Sequence, residues 1–157
     1  MSVVTSYAEF AVSCKTMHFS NEVLHHAKRA LIDWFACTLP GGLEAPATLI
    51  AKTLNEDIGR GSSTLLPSGQ AATTRTAALI NGTASHIIEF DDIFRDGLFH
   101  PGAPIIAAAL ATSEERNSTA EELLRGIVAG YEVANRIAEA INPNHYEWWH
   151  TTATVGF

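Results

Sequence analysis

Apolar and small residues recur at helical spacing along almost the whole chain, and this periodicity constrains the fold more than any other feature. Leu24, Ala27, Leu31 and Phe35 fall on one side of a helix that Ser20 caps and Pro40-Gly41-Gly42 stops. Ahead of it, Ser6-x-x-Glu9 has the form of a capping box for a short helix with Tyr7, Phe10, Ala11 and Cys14 on one side. A third helix, about Ala47 to Ile58, carries Ile50, Ala51, Leu54 and Ile58, and Gly59-Arg60-Gly61 ends it. Only Ser62 to Leu66 reads as extended, with a turn at Pro67-Ser68-Gly69. The expected fold class is therefore all-α, a multi-helix bundle with at most one short extended segment near 62–66.

The second half continues the pattern and adds chemistry. Thr73, Thr76, Ala77, Ile80, Ala84 and Ile87 form one stripe of a helix running to about Asp92. Four more residues along that stripe comes Asp91, a carboxylate where the period asks for an apolar side chain. Asp92 lies one step round, while His86 and Glu89 face the other way and read as structural. Asn81-Gly82 weakens this helix and implies close packing or a bend. A loop turning at Asp96-Gly97 leads to His100-Pro101, and Pro101 suits the first turn of a fifth helix, to about Glu115. That helix is apolar nearly all round and should be central. Overlapping capping boxes, Ser118-x-x-Glu121 and Thr119-x-x-Glu122, open a sixth helix with Leu124, Ile127, Val128, Tyr131, Ala134, Ala138 and Ile141 inward. Its Gly126 and Gly130 would admit a neighbouring helix. Trp148 and Trp149 suit a pocket wall or a core anchor equally.

Composition narrows the partners. A net charge of −7 with dispersed Lys and Arg leaves no basic stripe for nucleic acid. The longest apolar run, Pro104 to Ala111, is far below the ~20 residues of a membrane span. The N-terminus shows no targeting pattern. Cys14 and Cys37, in apolar patterns, read as buried thiols of a reducing compartment, so the expected location is cytoplasmic. Two cysteines also fall short of the usual thiolate set of an iron–sulfur cluster. With apolar residues at 46% and charged residues at 17%, the chain has apolar surface to hide in a core or against a partner.

Asp91 and Asp92 oppose the dipole of the helix they end, an uncomfortable place for solvated acids. They could hold a histidine, act as a base or bind metal. His100 precedes a helix start, which disfavours imidazolium and favours anions, so a neutral imidazole there suits proton transfer with a carboxylate substrate. His150, with Thr151, Thr152 and Thr154 after it, offers a second acid–base group with hydroxyl donors. His25 and His26 are adjacent, point to different faces and make a poor metal pair. His86, Asp91, Asp92, His100 and His150 match the residue types of helical metal phosphohydrolases. Against that reading stand the outward face expected for His86 and the lack of a phosphate-cradling glycine loop.

AALINGTASHIIEFDD (77 to 92), FHPGAPIIAAALA (99 to 111), GYEVANRI (130 to 137) and WHTTATVGF (149 to 157) together resemble the MmgE/PrpD family. That family includes 2-methylcitrate dehydratase, cis-aconitate decarboxylase and iminodisuccinate epimerase. The resemblance runs in order from about Ala8 to the last residue. It implies that residues 1–157 are the N-terminal part of a helical domain, truncated and without the smaller α/β domain. It further implies a lyase or isomerase moving protons on a small polycarboxylate, with no metal or organic cofactor, and a homodimer in the full-length protein. Its acidic motif falls on Asp91 and Asp92, its His-Pro motif on His100, and its later histidine and threonine on His150 and Thr152. These are the expected catalytic residues (His100, His150, Asp91, Asp92) and substrate contacts (Thr152, with Arg95 as a carboxylate binder). Glu89 stands where the family often has Asp, and Ile93 where Thr is frequent. The family's downstream lysines would lie past Phe157; Lys15, Lys28 and Lys52 match no site motif. The alternative is a non-catalytic truncated helical or assembly module.

Overall fold

The computed structural model describes residues 2–155. Among them are seven α-helices and one two-stranded antiparallel sheet: α1 (Val3–Ser13), α2 (Asn21–Gly41), α3 (Ala45–Thr53), β1 (Ile58–Thr64), β2 (Ala71–Ala72), α4 (Thr74–Ile87), α5 (Gly102–Arg116), α6 (Ala120–Ile141) and α7 (Thr151–Val155). The all-α expectation with one short extended segment holds. No helix of the described residues is long and apolar enough to cross a membrane.

Several boundaries differ from those the periodicity implied. α1 is capped by Ser2, whose side chain accepts from the Thr5 amide, so Ser6 is already inside the helix. α3 stops at Thr53, and a 3₁₀ turn over Asn55–Asp57 leads directly into β1. Gly59-Arg60-Gly61 therefore belongs to a strand and does not end a helix. Gly59 and Gly61 take positive φ where the pairing with β2 slips between Ile58 and Ser63, and a Cβ on Gly61 would stand 2.6 Å from the Ala72 carbonyl oxygen. At α6 the reciprocal capping box forms with Thr119 and Glu122. Glu121 instead takes Arg125, whose guanidinium also donates to the carbonyls of Cys14 and Met17 and ties α1 to α6.

α5 is central, as expected. Its Ile106 and Ala107 pack with Trp34 of α2 and Ile127 of α6, while Ala111 packs with Ala77, Ile80 and Ala84 of α4. Its cover is incomplete: Ala108 and Thr112 are exposed, so one face of the helix borders open space. A third apolar group joins Phe99, Ala134, Ala138 and Val155 and seats α7 against α6.

Small residues set the helix separations. A Cβ on Gly41 would lie 1.9 Å from the Ala84 carbonyl oxygen, so α2 crosses α4 at backbone contact. Gly82 meets the Ala103 carbonyl in the same way, so the Asn81-Gly82 interruption marks close packing. Asn81, buried, accepts from the Leu66 amide and donates to the Thr64 carbonyl, fastening the end of β1 to α4. Both cysteines are buried free thiols. Trp148 and Trp149 are exposed (79% and 70%) and serve neither as core anchors nor as walls of an enclosed pocket.

Candidate active site

α4 ends at Ile87, not Asp92. Glu89 then adopts φ +53°, and this left-handed residue turns the chain back across the end of the helix. Asp91 arrives beside the last turn of α4, where Nδ1 of His86 donates to its Oδ2 at 2.9 Å. The following loop is closed by paired amide–carbonyl bonds between Phe94 and Phe99, around a 3₁₀ turn at Arg95–Gly97. It delivers Nδ1 of His100 to 3.4 Å from Asp91 Oδ1. With its side chain only 2% exposed, Asp91 thus turns one oxygen toward each of two imidazoles. His150, at the start of α7, completes the cluster, with ring centroids 5.8 Å from His86 and 6.1 Å from His100.

His86 therefore does not face away from the acidic pair. The helical wheel that pointed it outward was extended past the real end of the helix, and the periodic relation between His86 and Asp91 ceases at Ile87. Asp91 is buried, but the turn at Glu89 puts it there and not the stripe. Glu89 was also read as outward and structural; it borders the same cavity as His86.

The electrostatics separate the two outer histidines. The hydrogen bond that His86 donates to Asp91 raises the His86 pKa above the usual imidazole value, against the opposing effect of burial. Burial lowers that of His150, and the nearby His86 and His100 lower it further. Asp92 behaves differently from its neighbour. It accepts the Gly102 amide at 3.0 Å and the Tyr131 hydroxyl at 2.8 Å. It borders a separate depression beside Arg29 and Asp33 of α2. Burial raises its pKa while these two hydrogen bonds pull it down. Asp92 is thus the anion at the start of α5, occupying the helix end that was expected to face a substrate. No described contact links it to the histidines.

His86 and His150 of the cluster line a cavity of about 850 Å³ between α4, α5 and the segment 150–153, while Asp91 and His100 lie behind them. Arg75, Leu79, Gly82, Thr83 and His86 line it at helical spacing. Thr152 stands at its edge: its hydroxyl accepts the His100 amide at 3.4 Å, and its own amide donates to His150 Nδ1 at 3.3 Å. A second cleft of about 450 Å³ between α5 and α6 is lined by apolar and small residues and holds no titratable group. Arg95 is exposed on its 3₁₀ turn and does not line the cavity.

Two residues at the site escaped the sequence reading. Arg75 precedes His86 by eleven residues, about three helical turns, so the two share a face; that signal was present in the spacing. His145 gave none. Its Nδ1 donates to the Ile141 carbonyl at 3.0 Å and its Nε2 accepts the hydroxyl of buried Thr151 at 2.6 Å, which anchors the chain just before α7. The Thr154 side chain, Gly156 and Phe157 lie outside the described residues.

His86, Asp91 and His100 are also the one group among the described residues whose ligand-type atoms lie close enough together, within 4.8 Å, to hold a metal ion. Comparison with known proteins places this geometry in context. The profile described as the MmgE/PrpD N-terminal domain matches residues 5–157. The cis-aconitate decarboxylase-like protein oryM of Aspergillus oryzae is 24% identical over 147 residues, covering 89% of this chain. The chain spans 30% of that relative's length.

Proposed function

The chain belongs to the MmgE/PrpD family, and from that premise we propose that it carries part of the active site of a lyase or isomerase acting by proton transfer on a small polycarboxylate. The observation that supports this most directly is the buried Asp91 between His86 and His100, with His150 about a ring's width from both and, together with His86, lining one cavity. Removing a proton next to a carboxylate and protonating a leaving group require one base and one acid in the same site. Two titratable groups whose surroundings push their pKa values apart supply that division. His86, its pKa raised by Asp91, is the acid and an anchor for a substrate carboxylate. His150, its pKa lowered, is the base. His100 stands between them on the other oxygen of Asp91, its amide fixed by Thr152.

In this reading Asp91 orients two imidazoles and offsets their charge. Asp92 holds the start of α5 and is a positioning residue. Arg75 replaces Arg95 as the arginine facing the substrate's route. It stands about 16 Å along α4 from His86 at ~1.5 Å per residue, too far for one small polycarboxylate to span, so it draws anions toward the cavity of an acidic chain. The cis-aconitate decarboxylase-like relative makes cis-aconitate the first substrate to examine.

The test is solvent exchange. The whole gene product, incubated in D₂O with cis-aconitate, citrate or 2-methylcitrate, should introduce deuterium next to a carboxylate even where net turnover is slow. His100→Ala and His150→Ala should each abolish that exchange while leaving the circular dichroism spectrum unchanged. Exchange at the wild-type rate in both variants would remove the histidine cluster from the chemistry.

A further inference from the structure

We propose that His86, Asp91 and His100 form a binding site for a divalent transition cation of the zinc class, and that the ion holds the cluster in an inactive state. The binding half stands on geometry alone; the inhibitory half rests on the proton-transfer reading above. Two imidazoles and a carboxylate are ligands that Zn²⁺ commonly takes, and three protein ligands leave one position open to water or substrate.

Spacing is the first argument. With metal–ligand bonds of ~2.0–2.2 Å, neighbouring ligand atoms on a tetrahedron stand about 3.3–3.6 Å apart. Asp91 Oδ1 and His100 Nδ1 are 3.4 Å apart, and one ligand atom from each of His86, Asp91 and His100 lies within 4.8 Å of the other two, so the three side chains need only draw in on the ion.

An independent observation concerns unmet hydrogen-bonding capacity. Asp91 Oδ1 and His100 Nδ1 are both buried, face one another, and have no hydrogen-bond partner. Buried polar atoms are nearly always satisfied, and leaving one unsatisfied costs about 1–3 kcal/mol. A cation between them would satisfy both. His150 lines the cavity outside this trio, its ring centroid 5.8 Å from that of His86 and 6.1 Å from that of His100.

Such an ion would not aid the proposed proton transfer. Coordination through Nδ1 prevents His86 from carrying the second proton it needs as the acid and as a cationic anchor, so bound metal and that role exclude one another. The prediction is reversible inhibition.

The experiment uses the whole gene product freed of metal by a chelator. Titration with Co²⁺ should give the visible absorption of a four-coordinate nitrogen–oxygen site, saturating at one ion per chain, and Zn²⁺ should displace it. Asp91→Asn should abolish the signal, and His100→Gln should weaken binding at least tenfold. His150→Gln should leave it within about twofold. Circular dichroism checks that each variant folds, and His100→Gln keeps the test valid should Asp91→Asn not fold. No saturable binding, or equal binding in the wild type and His100→Gln, overturns the site. Stoichiometric Zn²⁺ should abolish deuterium exchange, and chelator should restore it; faster exchange with Zn²⁺ overturns the inhibitory half. Absent exchange under all conditions would count against the proton-transfer reading and its inhibitory corollary, while the Co²⁺ titration still decides the site.

Discussion

Nδ1 of His86 and Oδ2 of Asp91 stand 2.9 Å apart across the end of α4, joined by the left-handed turn at Glu89. This one contact does more to shape the cluster than any other. It raises the His86 pKa and orients the carboxylate whose second oxygen faces His100.

Because that contact raises the His86 pKa in the folded state, its stabilisation is fully present below the unfolded value of about 6.5 and is lost as pH rises through the folded value. Asp91 and Glu89 face the imidazole with negative charge, and His100 and His150 stand beside it. Proton NMR titration should find the His86 midpoint above the ordinary imidazole value of about 6.5. In Asp91→Asn the midpoint should fall to or below it. An unchanged midpoint would mean that the hydrogen bond does not form in solution.

His150 carries the opposite sign. Its lowered folded pKa makes its contribution present above about pH 6.5 and lost as pH falls through that value and below. The pH profile of kcat/KM should accordingly be bell-shaped, with His150 on the acid limb and His86 on the alkaline limb. Asp91→Asn should pull the alkaline limb down in pH. A profile whose limbs do not move in this variant assigns the acid elsewhere.

Tyr131→Phe removes the hydroxyl donor to the buried Asp92 carboxylate and leaves the oxygen with no replacement. A hydrogen bond to a charged group contributes about 1.5–3 kcal/mol, and urea denaturation should show a loss of that size. A loss below about 0.5 kcal/mol would show that water enters and restores the contact.

The two glycines of α6 should respond in opposite directions. A Cβ at Gly126 meets nothing within 4 Å, so Gly126→Ala should stabilise by up to about 1 kcal/mol through helix propensity. At Gly130 the new atom would stand 2.5 Å from Ile105 Cγ2, and Gly130→Ala should cost about 1–3 kcal/mol by overpacking. Thermal unfolding of the two single variants distinguishes them.

Arg75→Ala should raise KM for a polycarboxylate at low ionic strength, leave kcat near its original value, and lose its effect in high salt. Arg95→Ala, altering an exposed side chain outside the cavity, should leave both constants unchanged.

Most helices could be read directly from the chain. The apolar spacing of α2, α4, α5 and α6 matches helices that form, because burying one stripe of a helix requires that spacing in any fold. Caps were legible where the capping chemistry is local, as at Ser20 and Thr119, and misread at Ser6, where Ser2 offered the same chemistry one turn earlier. The α3 boundary failed because Ile58 continues the helical stripe, yet its backbone pairs with Ala72. Periodicity cannot distinguish a stripe's last member from a strand's first when both are apolar.

What the sequence determined by itself was the helical class and the central place of α5, and it singled out the stretch from His86 to Pro104 as the place to look for chemistry. These follow from local propensities and from residue types that fit poorly in a plain core. Tertiary structure alone decided which of those residues meet. One left-handed residue, Glu89, undoes the helical wheel that had set His86 against Asp91. Asp92, adjacent in sequence to Asp91, is drawn to the start of α5 by Gly102 and Tyr131 and leaves the cluster. His150 and Arg75 enter from 64 residues after and 11 residues before His86. A period describes direction only within one regular element. Past its cap, the packing of distant segments sets where a side chain points.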